Sequence, residues 1–141
     1  MSDQRWTWTT TARMPSTPNA HRPHMQQILE ELRRLGWQGR DLFGVELALE
    51  ESLSNAIRHG NRLDESKHVM LECKASQNRF WLRVCDEGSG FQPLLVPDCT
   101  AAENLECPGG RGLALIKAYM THVEYNECGN CVTMEKTRSL A

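Results

Sequence analysis

Three short runs in this chain supply a carboxylate-amide pair, an aspartate followed by glycines, and a glycine-rich turn carrying an arginine: Glu51-x3-Asn55, Asp86-Glu87-Gly88-Ser89-Gly90 and Gly109-Gly110-Arg111-Gly112. Glu51 and Asn55 are four residues apart, which on a helix puts them on one side, one turn from each other. A carboxylate there can take a proton from a hydroxyl or water, and an amide oxygen can ligate a hard cation such as Mg2+. Asp86 closes the strand-like run Phe80-Trp81-Leu82-Arg83-Val84-Cys85. An aspartate fixed at a strand end can accept from an exocyclic amine such as that of adenine. Gly88 and Gly90, lacking Cβ atoms, let backbone approach a flat ring closely. The third run leads into Leu113-Ala114-Leu115-Ile116, so its glycines expose helix N-terminal amides to an anion, and Arg111 adds positive charge. No Gly-Lys-Ser/Thr follows, which excludes a P-loop, and no strand leads directly into the run, which excludes the dinucleotide fingerprint. In chain order, the three runs supply the parts of one nucleotide pocket, and ATP is the nucleotide they suggest.

Each run has a plainer alternative when taken alone. Glu51 could be surface charge, Asp86 part of an ordinary strand-terminating turn, and the glycine run a flexible helix entry. Glu46 and Glu50 fall on a different helical stripe from Glu51 and read as a solvated face; Asp64 and Asp98 read as loop charges. His59 either lines the pocket or ends the helix. Trp6 and Trp8 alternate with threonines and belong either to the core or to a dimer interface.

The elements that must carry these runs follow from periodicity. Trp6 to Arg13 alternates and is rich in β-formers, which predicts a first strand. Pro15, Pro18 and Pro23 then mark a loop. Met25, Ile28, Leu29, Leu32 and Leu35 recur at helical spacing, predicting a helix from His24 to Leu35 that closes near Gly36. A second helix is predicted from about Arg40 to His59, stopped by Gly60, with Val45, Ala48, Leu49, Ser52, Leu53, Ala56 and Ile57 buried. Val69, Leu71, Cys73 and Ala75, then Phe80, Leu82 and Val84, alternate as an antiparallel hairpin across Ser76-Gln77-Asn78. Phe91 to Pro108 has no sustained period and reads as a long functional loop. A third helix from Gly112 to Thr121 and a hairpin from His122 to Arg138 complete the chain. The expected fold is α+β: a two-layer sandwich with a mostly antiparallel sheet and helices on one face, residues 1–141 forming one domain.

Bulk properties exclude several function classes. Net charge is -2 with a pI near 6.2, so the basic footprint of a nucleic-acid binder is missing. No apolar run reaches the ~20 residues of a membrane span, and Arg5-Trp6-Thr7-Trp8-Thr9 lacks the layout of a secretory signal. A cytoplasmic protein is expected, and with it free thiols at the 6 cysteines. Cys73 and Cys85 are expected as small core residues. Cys128-Gly129-Asn130-Cys131 reads as a hairpin tip, the alternative being a metal or redox pair with Cys99 and Cys107 as the further zinc candidates.

Glu51-Ser-Leu-Ser-Asn55-Ala-Ile-Arg-His59-Gly60, Asp86-Glu-Gly88-Ser-Gly90-Phe91 and Gly110-Arg-Gly112-Leu113 resemble the N, G1 and G2 boxes of the GHKL ATPase superfamily, within it the anti-sigma-factor serine/threonine kinases. The resemblance covers nearly the whole chain. It implies that Asn55 ligates the Mg2+ bridging the ATP phosphates and that Asp86 reads adenine. It further implies that Gly88 and Gly90 shape the adenine site, and that Gly110 and Gly112, with Arg111 between them, meet the phosphates under a lid from about Gln92 to Pro108. Glu51 would be the general base for a serine or threonine on a partner. The implied partners are an anti-sigma-factor antagonist and a sigma factor, with no nucleic acid or membrane contacted directly and a homodimer as the assembly. One departure stands out: Pro108 occupies the position where some relatives carry an arginine near the γ-phosphate. A nucleotide-dependent binding module without phosphotransfer is therefore the alternative function. A histidine-kinase catalytic domain fits less well, because only one short helix precedes the Glu51 helix.

Overall fold

The structure, a computed structural model, describes residues 6–88, 116–126 and 129–139. Five strands make one sheet: β1 (Trp8–Pro15), β2 (His68–Ala75), β3 (Arg79–Cys85), β4 (His122–Tyr125) and β5 (Cys131–Thr137). Their order is β1-β2-β3-β5-β4, and every neighbouring pair is antiparallel. Two helices, α1 (Arg22–Arg34) and α2 (Gly39–Asn55), lie between β1 and β2 in the chain. This is the α+β architecture that the change of period foretold.

Alternation along the strands decides which sheet face is covered. Val69, Leu71 and Cys73 of β2, Phe80 and Leu82 of β3, and Met134 of β5 are at most 2% exposed. They face a layer built by Ile28 and Leu32 of α1 and by Val45, Leu49 and Leu53 of α2, all equally buried. The residues between them in the strands point to the opposite, outer face and are half-buried or exposed. Burying apolar area at roughly 25 cal/mol per Å2 is what holds the two layers together.

Helix α1 ends as its sequence requires. Gly36 has φ +96, Trp37 N–H donates to Leu32 C=O at 2.9 Å, and Gly36 N–H donates to Arg33 C=O at 3.0 Å. This is a Schellman close, with a glycine at the left-handed position. It delivers Trp37 into the core, where Nε1 donates to Ser76 C=O at 2.9 Å. At the start of α2, Asp41 accepts from Ser139 N–H and Oγ–H, both at 3.0 Å, and so ties the chain beyond β5 to the helix.

The second helix departs from expectation at its end. Its α-helical part stops at Asn55, and Ala56–Gly60 form a π-helical turn in which Asn61 N–H reaches back to Ala56 C=O at 2.9 Å. The predicted buried face, Val45 through Ile57, is otherwise buried throughout. The expected third helix is described only from Ile116, where residues 116–119 are helical; its start lies outside the described residues.

Candidate functional site

The π turn sets the geometry of the site. An extra residue per turn pushes the backbone of residues 56–60 outward, and π bulges of this kind concentrate at functional sites. Here the widened turn lies directly on the end of β3. A Cβ added at Gly60 would stand 2.2 Å from Asp86 Oδ2 and 2.4 Å from its Cγ. One added at Gly88 would stand 1.9 Å from the Gly60 carbonyl oxygen. Backbone and carboxylate thus touch with no room for a side chain between, so glycine is required at both positions. The segment after Asn55 and the Asp86-Glu87-Gly88 turn, distant in the sequence, form one floor.

Asp86 is fixed within that floor. Its N–H donates to Asn130 C=O at 2.8 Å, continuing the β3–β5 ladder by one rung, and its Oδ1 accepts from Gly88 N–H at 2.8 Å. Burial pushes the carboxyl above its ordinary value of 3.8, while the Gly88 amide and the positive charge of Lys67 pull the other way. Tyr125, on β4, is close enough to feel this charge. Burial first, then Asp86, raises its hydroxyl to about 12. The site thus presents a half-buried carboxylate backed by two bare glycine Cα atoms, an acceptor for an N–H or O–H donor.

Asn61 holds the arrangement and was not singled out by its sequence context. It is 1% exposed. Its Oδ1 accepts from Glu87 N–H at 2.7 Å, and its Nδ2 donates to Ser16 Oγ at 2.8 Å and to His68 C=O at 3.1 Å. Ser16 Oγ in turn donates to Lys67 C=O at 2.7 Å, and Glu87 Oε2 accepts from His68 N–H at 2.7 Å. One amide therefore joins the end of β1, the start of β2, the turn after β3 and the π turn. The only hint in the sequence is an asparagine directly after Gly60, which by itself signals a turn.

Glu51 and Asn55 lie in the last turns of α2, both half-buried, at the border between the buried stripe and solvent. His59 is exposed, next to the glycine that meets Asp86. Gly90, Gly110, Arg111 and Gly112, together with the lid from about Gln92 to Pro108, lie outside the described residues.

Two expectations are corrected. Glu50 is not on a purely solvated face: its Oε1 lies 3.1 Å from Nε2 of His21, a residue only 4% exposed at the start of α1. The helical stripe placed Glu50 correctly, but the facing helix brings a partner that spacing within α2 cannot reveal. Cys85 is not a free core thiol either. It is half-exposed on the outer sheet face and is disulfide-bonded to Cys131, so Cys131 is not paired with Cys128. Cys73 is free and fully buried, as expected. Asn126, Gly129 and Asn130 close the β4–β5 hairpin through hydrogen bonds, including Asn126 N–H to Cys131 C=O at 3.0 Å and Gly129 N–H to Asn126 C=O at 3.1 Å. Cys99, Cys107 and Cys128 lie outside the described residues. Among the described residues, no three or more His, Cys, Asp or Glu side chains converge as a metal site. None of the described helices is long and apolar enough to cross a membrane.

Known proteins resemble this chain. A family described as the histidine kinase-like ATPase domain matches residues 14–136. An anti-sigma F factor of Clostridium perfringens is 32% identical over 91 residues, covering 62% of this chain and 64% of the relative. The serine-protein kinase RsbW of Bacillus subtilis is 29% identical over 112 residues, covering 73% of this chain and 69% of the relative. Among solved structures, the RsbU and RsbW domains of a Mycobacterium tuberculosis protein align with a TM-score of 0.62 at 20% identity, over 94% of this chain and 32% of that one. That last likeness concerns the fold.

Proposed function

This chain belongs to the histidine kinase-like ATPase family, and from that premise we propose that it binds ATP with Mg2+ and transfers the γ-phosphoryl group to a serine or threonine of a partner protein. The observation that carries the reading is the contact of Gly60 and Gly88 with the Asp86 carboxylate, at the foot of the helix that bears Glu51 and Asn55. Asp86 accepts from the adenine amine, and the bare Cα atoms of Gly60 and Gly88 hold it in place. Gly88 and Gly90 line the base, and Gly110, Arg111 and Gly112 meet the phosphates. Asn55 holds Mg2+ through its amide oxygen, and the ion when bound neutralises phosphate charge. Glu51 takes the proton of the attacking hydroxyl, a positioned base being worth roughly 10²–10⁴-fold in rate.

The similarity to an anti-sigma F factor and to RsbW kinases supports a place in partner switching. In this reading the phosphorylated partner is an anti-sigma-factor antagonist, and the second partner is a sigma factor held inactive on the same protein. Phosphorylation adds charge to the antagonist and biases which partner is bound. A calorimetric titration with ATP and Mg2+ on the wild type and on Asp86→Ala tests the pocket: binding in the first and its loss in the second is the expected result. Incubation with labelled ATP and a candidate antagonist then tests transfer. Pro108 favours one second reading, a nucleotide-gated binder without chemistry. That protein would bind ATP and partner but leave the partner unlabelled.

A further inference from the structure

The nucleotide reading leaves the sulfur chemistry unused. Cys85 and Cys131 stand directly opposite each other on β3 and β5, with Cα atoms 4.0 Å apart, and are bonded. The next rung joins Asp86 N–H to Asn130 C=O, so the two cysteines occupy the non-hydrogen-bonded type of cross-strand position, where side chains approach most closely. Both are only half-buried and lie on the sheet face away from the helices. Cys73 shows the contrast: it is fully buried on the inner face, and burial pushes its thiol up, the signature of an inert cysteine.

The location gives the pair its meaning. Cys85 immediately precedes Asp86, and Cys131 immediately follows Asn130, the acceptor of the Asp86 amide. The crosslink therefore clamps the last rungs of the β3–β5 ladder just before the 86–88 turn that packs under Gly60. With the bond open, those rungs stand at the end of the ladder, where strands fray most readily.

We propose that Cys85 and Cys131 form a reversible thiol–disulfide site that tunes the affinity of the Asp86 pocket for ATP, the disulfide form binding more tightly. This rests on the nucleotide reading above. The reactant is a low-molecular-weight disulfide such as glutathione disulfide. One cysteine thiolate attacks it, forms a mixed disulfide and expels one glutathione thiolate. The second cysteine thiolate then attacks the protein-bound sulfur and expels the other. Two electrons pass from the cysteines to glutathione, and the two cysteine protons end on the two glutathione thiols. The reverse sequence opens the pair.

The test equilibrates the full chain in graded mixtures of reduced and oxidised glutathione, which leave the exposed Met70 beside Cys85 untouched. Alkylation with peptide mapping reports the state of Cys85 and Cys131, and calorimetry with Mg2+ and ATP reports Kd. The expected result is a pair that titrates across the series, with ATP binding about fivefold or more weaker in the dithiol form, the low end of coupling between two sites. Cys131→Ser should show the weak value at every ratio. Equal Kd in the two forms, with the pair titrating normally, overturns the proposal and leaves the nucleotide reading standing. A pair locked in one form across the whole series overturns it as well. An absence of ATP binding in both forms overturns the nucleotide reading and this proposal with it.

Discussion

Replacing Gly60 with alanine would drive a methyl group into the Asp86 carboxylate. The methyl carbon would stand 2.2 Å from Oδ2, against a carbon–oxygen contact of about 3.3 Å, a shortfall of about 1 Å. Asp86 cannot simply lean aside, because its Oδ1 is held by the Gly88 amide at 2.8 Å. Either the carboxylate turns and gives up that bond, or the π turn lifts off the end of β3. Overpacking of this kind costs about 1–3 kcal/mol of stability. A hydrogen bond to a charged group is worth about 1.5–3 kcal/mol, so an Asp86 displaced from the adenine amine should weaken ATP binding by about 10–100-fold. Calorimetric titration and urea unfolding of the wild type, Gly60→Ala, Asp86→Ala and the double variant would separate the two effects. In the Asp86→Ala background the clashing atoms are gone, so Gly60→Ala should cost much less there, with a coupling of about 1 kcal/mol or more. Additive stability effects, or an ATP affinity untouched by Gly60→Ala, would refute the claim that these two residues are one mechanical unit.

Further outcomes follow from the same geometry. Burial holds the Asp86 pKa above 3.8 in the folded chain, so the stability it contributes is present below 3.8 and is lost as pH rises through the folded value. Asp86→Asn should therefore be more stable than the wild type in urea at pH 7, by a margin that shrinks toward pH 4, while binding ATP more weakly; a margin constant over that range would contradict the burial argument. Asn61→Ala strips partners from Glu87 N–H, Ser16 and His68 C=O, and should cost about 2–4 kcal/mol in denaturant unfolding. Glu51→Ala should retain ATP affinity within about twofold while phosphotransfer to the antagonist falls by roughly 10²–10⁴-fold. Equal transfer rates would remove Glu51 from the proposed chemistry.

How much of this was legible depends on how local each signal is. Alternation in β2 and β3 and the i, i+3, i+4 spacing in α1 and α2 specify elements from neighbours alone: Met25, Ile28, Leu29 and Leu32 are buried, as are the residues expected inward in the second helix, while Leu35, just past the end of α1, is half-buried. Gly36 announced the end of α1 because a left-handed close needs a glycine. The π turn could not be read in this way: Ala56-Ile57-Arg58-His59-Gly60 is an acceptable α-helical ending, and the wider turn is held by contacts with distant segments, at Asp86 and through Asn61. Asn61 carries no local signal beyond that of a turn, since its three partners come from segments 45, 7 and 26 residues away. Cys85 misled for the same reason: its run reads as core, but the pairing of β3 with β5 brings Cys131 to it across 46 residues. Glu51, Asn55 and Asp86 stood out as candidates because helical spacing and an aspartate followed by glycines are local patterns, whereas the contacts that support Asp86 are not local.

The π turn also constrains the length of the chain as well as its composition. A turn containing one residue more than its neighbours is equivalent to a single-residue insertion in a helix. Removing one residue between Asn55 and Gly60 would restore the ordinary winding and shorten the path to β3. The shorter path would draw Gly60 off Asp86 and Asn61 off its partners Ser16, His68 and Glu87. Side chains on the exposed face of this segment are free to vary; the residue count from Asn55 to Gly60 is not. A one-residue deletion there should do more harm than any single substitution at Arg58 or His59.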